Sequence, residues 1–273
     1  MNPLLLPLAV LAANAAPAQR SPPPCPSDRV VQARDALLGN RLVQAGRMIQ
    51  RLRAGCGMEP GFRRLEAAWM LSSGRDAEAM TRYEGLLLHD SSDPELLAGA
   101  GRAALRLGSL DRAAALLAEA AALGSVDWRA WNALGIIRDR QRQWPAAEEA
   151  YARALQLAPD QASVLNNHGY SLLLQGRSSE AVPILERAVM LDPQSAGAIN
   201  NLELARALNG IYDESRRRGE SARAWSRRLN NQGYAALLAG DREAARRLLS
   251  MAISASPSRF EAAEQNLARA NAE

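Results

Sequence analysis

A small residue returns every 34 residues along most of this chain of 273 residues. A large residue follows it four positions later, as Tyr151 follows Ala147 and Leu185 follows Ala181. Because residues four apart lie on one face of a helix, the small residue lets a neighbouring helix approach and the large residue fills the space between helices. The register position is alanine in six units, the last of them after a shortened interval: Ala45, Ala79, Ala113, Ala147, Ala181 and Ala245. This fixed period predicts a stack of similar helical units.

Each unit is predicted to contain two helices joined by a tight turn. A second small residue, Gly135 in the unit that begins near Trp131, comes early in the first helix and lets the second helix lie close to it. Turn glycines separate the two helices of successive units: Gly74, Gly108, Gly176, Gly210 and Gly240. Prolines, which do not continue a helix, follow several second helices: Pro159, Pro193 and Pro257. These signals favour an all-α protein.

One unit carries a recognisable set of residues in this order: Trp131, Leu134, Gly135, Ala147, Tyr151, Ala154 and Pro159. This set resembles the tetratricopeptide repeat. The resemblance implies an all-α, right-handed superhelical solenoid of antiparallel helix pairs that ends in a capping helix. It also implies a protein that binds other proteins or peptides and is not an enzyme.

The repeat frame divides the chain into segments of unequal regularity. Five regular units are predicted over residues 27–195, a shortened, degenerate unit over 196–225, a further unit over 226–259 and the capping helix over 260–273. In the sixth unit Glu203 stands where the small residue belongs, and three consecutive arginines follow at 216–218. We interpret these arginines as a solvated or contact-making edge. We expect the break to bend or loosen the superhelix and to divide its concave surface into two parts.

The first residues indicate export. An apolar run over residues 4–13 is followed by small residues, so residues 1–18 are predicted to be a secretory signal peptide, with a proline-rich linker over 19–26. The run is too short to span a bilayer, and we expect no transmembrane segment. No Lys or Arg precedes it, so either the signal is weak or the true start lies upstream. The expected location is the periplasm or cell envelope; a disordered tail on a cytoplasmic protein is the alternative.

The two cysteines, Cys25 and Cys56, flank the first predicted helix pair. In an antiparallel hairpin these two points lie at the same end, so a disulfide is compatible with the topology. An oxidising compartment would favour it. Two free thiols and a lipid on Cys25 are the alternatives, although three prolines precede Cys25 where a lipoprotein signal has leucine and small residues.

Charge and motifs argue against catalysis. All 33 basic residues are arginine, and a formal net charge of +4 is weak evidence for nucleic acid, so no nucleic-acid partner is expected. The sequence has two histidines, His89 and His168, and no metalloprotease helix, nucleophile elbow or phosphate loop. His168 stands at a position that is usually leucine, and we interpret it as a packed or hydrogen-bonded side chain. We expect no catalytic residue, no cofactor and no metal.

The first helices of the units should line the concave face, where asparagines recur. An asparagine amide offers both a donor and an acceptor, so a row of them can hold an extended peptide backbone, and tyrosine adds an apolar face with a polar tip. Asparagine as mere family consensus is the alternative. The predicted groove contains Arg129, Asn132, Asn166, Asn167, Tyr170, Asn200, Asn201, Asn230, Asn231 and Tyr234, with Arg138 and Arg140 extending it.

A finer resemblance rests on the stretches 131–135, 164–174 and 201–205, and above all on 231–241 with 252–257. Over residues 128–267 the chain is similar to the TadD repeat proteins of bacterial Flp (tight-adherence) pilus assembly. That resemblance implies an envelope scaffold whose partners include the secretin or other pilus-assembly components. A periplasmic scaffold for cell-wall or outer-membrane assembly, and a non-catalytic regulatory subunit, are the alternatives. Exposed solenoid edges are also compatible with self-association.

Overall fold

The computed structural model describes residues 25–124 and 127–272. The predicted signal peptide therefore lies outside the described residues. Within these ranges the chain forms fourteen α-helices and no β-strand, which confirms the all-α fold. The helices are α1 Ser27–Leu38, α2 Leu42–Cys56, α3 Pro60–Ser72, α4 Asp76–Leu87, α5 Pro94–Arg106, α6 Leu110–Ala122, α7 Trp128–Arg140, α8 Trp144–Leu157, α9 Ala162–Leu174, α10 Ser178–Leu191, α11 Ala196–Leu208, α12 Ala222–Leu238, α13 Arg242–Ala255 and α14 Glu261–Asn271.

The chain divides into two compact units, the first ending at Gly74. In this first unit α1, α2 and α3 enclose a core that includes Ile49 and Phe62, both essentially inaccessible. A disulfide joins Cys25 to Cys56, with 4.8 Å between their Cα atoms. Gly46 on α2 faces the Trp69 ring, whose Nε1 donates to the Leu42 carbonyl at 3.1 Å. The disulfide and this indole contact both fix α2.

The second compact unit begins at Arg75 and contains α4 to α14. Consecutive helices pack as the pairs α5/α6, α7/α8, α9/α10 and α12/α13. The first helices of the pairs also contact one another along the series α5, α7, α9 and α11, whereas α6, α8 and α10 show no such mutual contact in the described part of the chain. The first helices therefore form the closer-packed, inner layer of this unit.

The repeat positions form the core between paired helices. The six register alanines are all inaccessible to solvent, as are Leu117, Leu185 and Leu249, three of the large residues that follow them. A methyl group added to Gly169 would lie 2.5 Å from the Leu185 side chain, and one added to Gly233 would lie 2.7 Å from that of Leu249. Since real Cβ atoms do not approach so closely, these glycines set the distance between the helices of a pair.

The turn inside each repeat takes one backbone form, with a residue in the left-handed region. Gly108 has φ +81° and Gly176 has φ +75°. Arg142 holds the equivalent place in the fourth repeat with φ +57°, where a side chain costs about 1 kcal/mol relative to glycine. The turn geometry is thus retained even where the favoured residue is missing.

The sixth repeat departs from the others, because no second helix follows α11. Residues 209–221, the sixth-repeat loop, contain no helix, and α12 begins at Ala222, four residues before the predicted seventh unit. Glu203, at the place of the small residue, pairs with Arg217 of the loop at 2.6 Å. An ion pair therefore replaces the contact that a glycine and a leucine make in the regular repeats.

The last helix, α14, packs against both α12 and α13. Ala263 and Ala270 are buried on its inner side. Arg246 on α13 donates from Nε to the Ala270 carbonyl at 3.0 Å, and Arg242 donates to the Ala272 carbonyl. The positive side chains of α13 thus satisfy carbonyl groups that the end of α14 leaves free.

Candidate functional site

Four of the predicted groove asparagines form one continuous chain of hydrogen bonds across three inner helices. Asn201 on α11 donates from Nδ2 to Oδ1 of Asn166 on α9 at 2.9 Å. Asn166 donates to its neighbour Asn167 at 3.3 Å, and Asn167 donates to Asn132 on α7 at 3.0 Å. All four side chains are partly buried. The asparagines therefore cross-link neighbouring repeats, and each retains only part of its hydrogen-bonding capacity for a ligand.

A second, separate chain lies beyond the sixth-repeat loop. Asn266 on α14 donates to Oδ1 of Asn230 on α12 at 3.1 Å, and Asn230 donates to Asn231 at 3.4 Å. Asn266 was not among the predicted residues, although it lies 36 positions after Asn230, close to the repeat period. The sequence signal was present in a segment interpreted only as a cap.

The remaining predicted residues divide into exposed and locally engaged side chains. Tyr170 is 44% exposed and Tyr234 is 40% exposed, so both rings are available on the inner layer. Asn200 is exposed. Arg129 lies over the Trp128 ring, 4.4 Å from its centre, and pairs with Asp127 at 3.2 Å. Arg129 is thus engaged at the start of α7, and the tyrosines are the large groove side chains that are open to a partner.

A buried polar cluster, missed from the sequence, lies behind the first asparagine chain. Asp139 accepts from the Tyr151 hydroxyl at 2.7 Å and from the Ser171 hydroxyl at 2.6 Å. Burial raises the pKa of the Asp139 carboxyl, and the two hydroxyl donors partly oppose that rise. The His168 ring stacks on Tyr151 with centres 5.7 Å apart, and burial lowers the His168 pKa. Asp139 and Ser171 thus link α7 to α9, and His168 is a packed residue, as interpreted from the sequence.

The sixth-repeat loop is anchored by one buried cation. Arg228 on α12 is 6% exposed and donates to the carbonyls of Asp213 and Ser215 at 2.5 and 2.6 Å. It also binds the Glu220 carboxylate at 2.8 Å. Gln232 accepts from the Asp213 N–H at 2.9 Å. The segment that we expected to loosen the stack is therefore fixed to α12 by polar contacts.

Hydrogen bonds and ion pairs shift the acids of this loop. Hydrogen bonds from Ser215 and Arg217, together with the charge of Arg228, hold the Asp213 pKa below its usual value. The Arg228 guanidinium is the largest cause of the lowered Glu220 pKa. Both acids are therefore charged at neutral pH and bound within the protein.

Across residues 25–124 and 127–272, no three His, Cys, Asp or Glu side chains are grouped so that they could hold a metal ion. In the same ranges, no helix has the length and apolar character that crossing a membrane requires.

Comparison with known proteins identifies the repeats. The tetratricopeptide repeat family matches three overlapping segments, residues 71–127, 98–162 and 132–198. Residues 71–198 therefore match the tetratricopeptide repeat family, in agreement with the repeat predicted from the sequence. No curated protein sequence matches the chain.

Solved structures share the fold at low sequence identity. The Cut9–Hcn1 hetero-tetramer of APC/C contains a chain with 16% identity and a TM-score of 0.57, over 85% of this chain and 46% of that one. The structure of pilF from Pseudomonas aeruginosa has 15% identity and a TM-score of 0.52, over 89% of this chain and 96% of that one. At these identities the likeness concerns the fold alone.

Proposed function

We propose that the chain is a non-catalytic scaffold that binds extended segments of partner proteins along the inner layer of its second compact unit. The observation that carries this proposal is the pair of exposed tyrosines, Tyr170 and Tyr234, beside the two asparagine chains. Each tyrosine offers a large apolar surface and a polar tip, at a small entropic cost when it is fixed. The amide N–H groups not used between helices add hydrogen bonds to a peptide backbone.

We further propose that the scaffold acts in the bacterial cell envelope, in assembly of a Flp pilus apparatus. The support for this step is the resemblance to TadD proteins that we infer from the residues of 128–267, together with the apolar run over residues 4–13. The Cys25–Cys56 disulfide is compatible with an oxidising compartment. The secretin or another pilus-assembly protein is the expected partner. The second candidate, a scaffold for cell-wall or outer-membrane assembly, rests on the same export signal.

Site-specific photo-crosslinking in living cells tests both parts of the proposal. A photoreactive residue at position 170 or 234 should capture a partner that mass spectrometry identifies. The same residue at Glu149, which is exposed on the outer helix α8, serves as the control. Capture from the outer helix alone would exclude the inner layer as the binding surface.

The identity of the captured protein separates the candidates. A secretin or another pilus component supports the pilus function. Capture of cell-wall or outer-membrane assembly proteins supports the second candidate. Recovery of the exported chain with two titratable thiols would contradict the disulfide and weaken the case for export.

A further inference from the structure

The sixth-repeat loop and the start of α12 carry an excess of arginine that the groove does not involve. Residues 209–228 contain six arginines and three acidic residues. No regular repeat contains this loop, and α12 begins four residues earlier than the predicted seventh unit. The surface is therefore a local feature of the sixth repeat.

The acidic residues of this segment are all bound to arginines. Asp213 and Glu220 contact the buried Arg228, and Glu214 pairs with Arg247 on α13 at 2.9 Å. No carboxylate of the segment is thus left without an arginine. All three acids of the segment are therefore paired, whereas several of its arginines are not.

Four arginines form the outer surface, which we name the arginine patch: Arg216, Arg218, Arg223 and Arg227. All four are exposed, and none forms an ion pair with any residue in the part of the chain that the structure describes. The Nε of Arg216 donates to the Glu220 carbonyl at 2.9 Å, which closes the chain into a turn through Gly219, with φ +80°. This turn brings the loop arginines to the start of α12, where Arg223 and Arg227 lie one helical turn apart.

Arg223 and Arg227 carry like charges one helical turn apart on an exposed surface, so an anionic partner relieves their mutual repulsion. Guanidinium groups bind carboxylates in a fixed two-pronged geometry, as Arg228 already binds Glu220 in the same segment. The neighbouring aromatic rings, Tyr212 and Trp225, are partly buried against the core formed by α12, α13 and α14, so their surfaces are engaged within the protein and do not form an open platform for nucleic-acid bases. The chemistry therefore favours carboxylates over bases.

We propose that the arginine patch docks an acidic segment of a partner protein, rich in Asp and Glu, whose carboxylates bind Arg218, Arg223 and Arg227. The patch adjoins the second part of the groove, because Arg227 and Tyr234 lie seven residues apart on α12. Tyr170 lies on α9, which does not contact α12 in the described part of the chain, so crosslinking at position 170 and probe binding at the patch are independent results.

The test measures binding of the full chain to a fluorescein-labelled ten-residue oligo-glutamate by fluorescence anisotropy. Wild-type protein should bind this probe, more weakly as sodium chloride rises. Replacing all three arginines, Arg218→Glu, Arg223→Glu and Arg227→Glu, should lower the affinity about tenfold or more. The corresponding triple glutamine variant, which introduces no new charge, should lower it by a smaller factor.

A charge-matched control changes three exposed arginines of the first compact unit, Arg29→Glu, Arg34→Glu and Arg51→Glu. It should alter the affinity less than about twofold, because the contribution is local. Circular dichroism should show equal helix content for all variants. If the triple glutamate variant unfolds, the affinity of the triple glutamine variant for the probe tests the proposal in its place.

Three results would overturn the proposal. The first is an equal loss in the patch variant and the charge-matched control, which would indicate attraction by net charge alone. The second is the absence of probe binding by wild-type protein. The third is tighter binding, through the same arginines, of a single-stranded oligonucleotide or of phosphatidylglycerol vesicles, which would assign the patch to a different class of partner.

Discussion

Asparagine amides in this protein bond to one another before they meet any ligand. The bonds from Asn167 to Asn132 and from Asn201 to Asn166 each connect consecutive inner helices. A partly buried side-chain hydrogen bond contributes about 1 kcal/mol to stability, and an amide left without its partner loses a similar amount. These side chains therefore have a structural role between repeats. Only the amide groups that these bonds leave unused remain for the peptide binding that we propose.

Replacing Asn167→Ala together with Asn201→Ala should lower the free energy of unfolding by roughly 1–3 kcal/mol, because two inter-repeat bonds are lost. From the sequence alone we would expect an almost unchanged melting temperature for this pair. Urea denaturation gives the measurement. Asn200→Ala, at an exposed position, is the matched control and should change stability by less than about 0.5 kcal/mol. Equal stability of the double variant and wild type would remove the cross-linking role.

Arg142→Gly tests the backbone at the level of one residue. The arginine holds φ +57° in a turn where other repeats have glycine. Replacing the arginine with glycine should raise the free energy of unfolding by roughly 0.5–1 kcal/mol, because glycine adopts this region without steric cost. This net gain includes the opposing entropic cost of glycine's greater freedom in the unfolded chain. Thermal unfolding measures the gain. Arg153→Gly, inside α8, should have the opposite sign and cost about 1 kcal/mol.

At the scale of elements, the sixth-repeat loop shows how a missing helix is compensated. The segment contains Gly210 and Gly219, both with positive φ, and Asp213 accepts from the N–H and hydroxyl groups of Ser215. Such local bonds compete with helix formation. A register position occupied by Glu203 also leaves no small surface for a packed helix. The loop therefore follows from its own residues, and α12 supplies the anchor.

Arg228→Met removes that anchor while keeping much of the side-chain volume. Two backbone carbonyls and the Glu220 carboxylate then lose their guanidinium donor, and the Ser215 carbonyl loses the bond that ties it to α12, so we expect a loss of roughly 3–5 kcal/mol in the free energy of unfolding. Arg227→Met, one residue away and exposed, should cost less than about 0.5 kcal/mol. Chemical denaturation of both variants measures the two losses in the free energy of unfolding. Similar losses for the two would show that the loop does not depend on Arg228.

At the scale of the whole molecule, stability is distributed over neighbouring repeats. Apart from the asparagine and Asp139 bonds, each helix pair of the second compact unit packs mainly within itself and against the next pair. A stack of this kind behaves as a sum of repeat and interface contributions. It should therefore tolerate the loss of one whole repeat better than the loss of half of one.

Deleting residues 128–161, which contain α7 and α8, should leave a folded helical protein. The deletion joins Asp127, which caps α7 in the intact protein, directly to the start of α9. Asp127 then replaces Gln161, whose side chain makes no capping hydrogen bond to α9. Far-ultraviolet circular dichroism should show nearly unchanged helicity per residue, with cooperative unfolding at a lower denaturant concentration. Deleting 128–143, which removes α7 alone, is the control and should abolish cooperative unfolding. Loss of all helical signal after the 34-residue deletion would contradict the repeat architecture.

The spacing of residues predicted the fold better than it predicted the site. The pairing of Gly169 with Leu185 depends on volume at a fixed interval, which the sequence displays directly. Asn166 and Asn167 were correctly recognised as periodic, but the direction of an amide hydrogen bond depends on side-chain rotamers that periodicity does not encode. Asp139 gave no periodic signal, since the positions 34 residues before and after it are leucines, Leu105 and Leu173.

The asparagine chain has a direction. Each bond that crosses between helices donates towards the preceding repeat, from Asn201 to Asn166 and from Asn167 to Asn132, and Asn266 donates the same way in the second chain. Aligned amides polarise one another. The end at Asn132 is thereby a stronger donor, and the end at Asn201 a stronger acceptor. A peptide lying along these helices would therefore meet two unlike ends, which distinguishes its two chain orientations without reading any of its side chains.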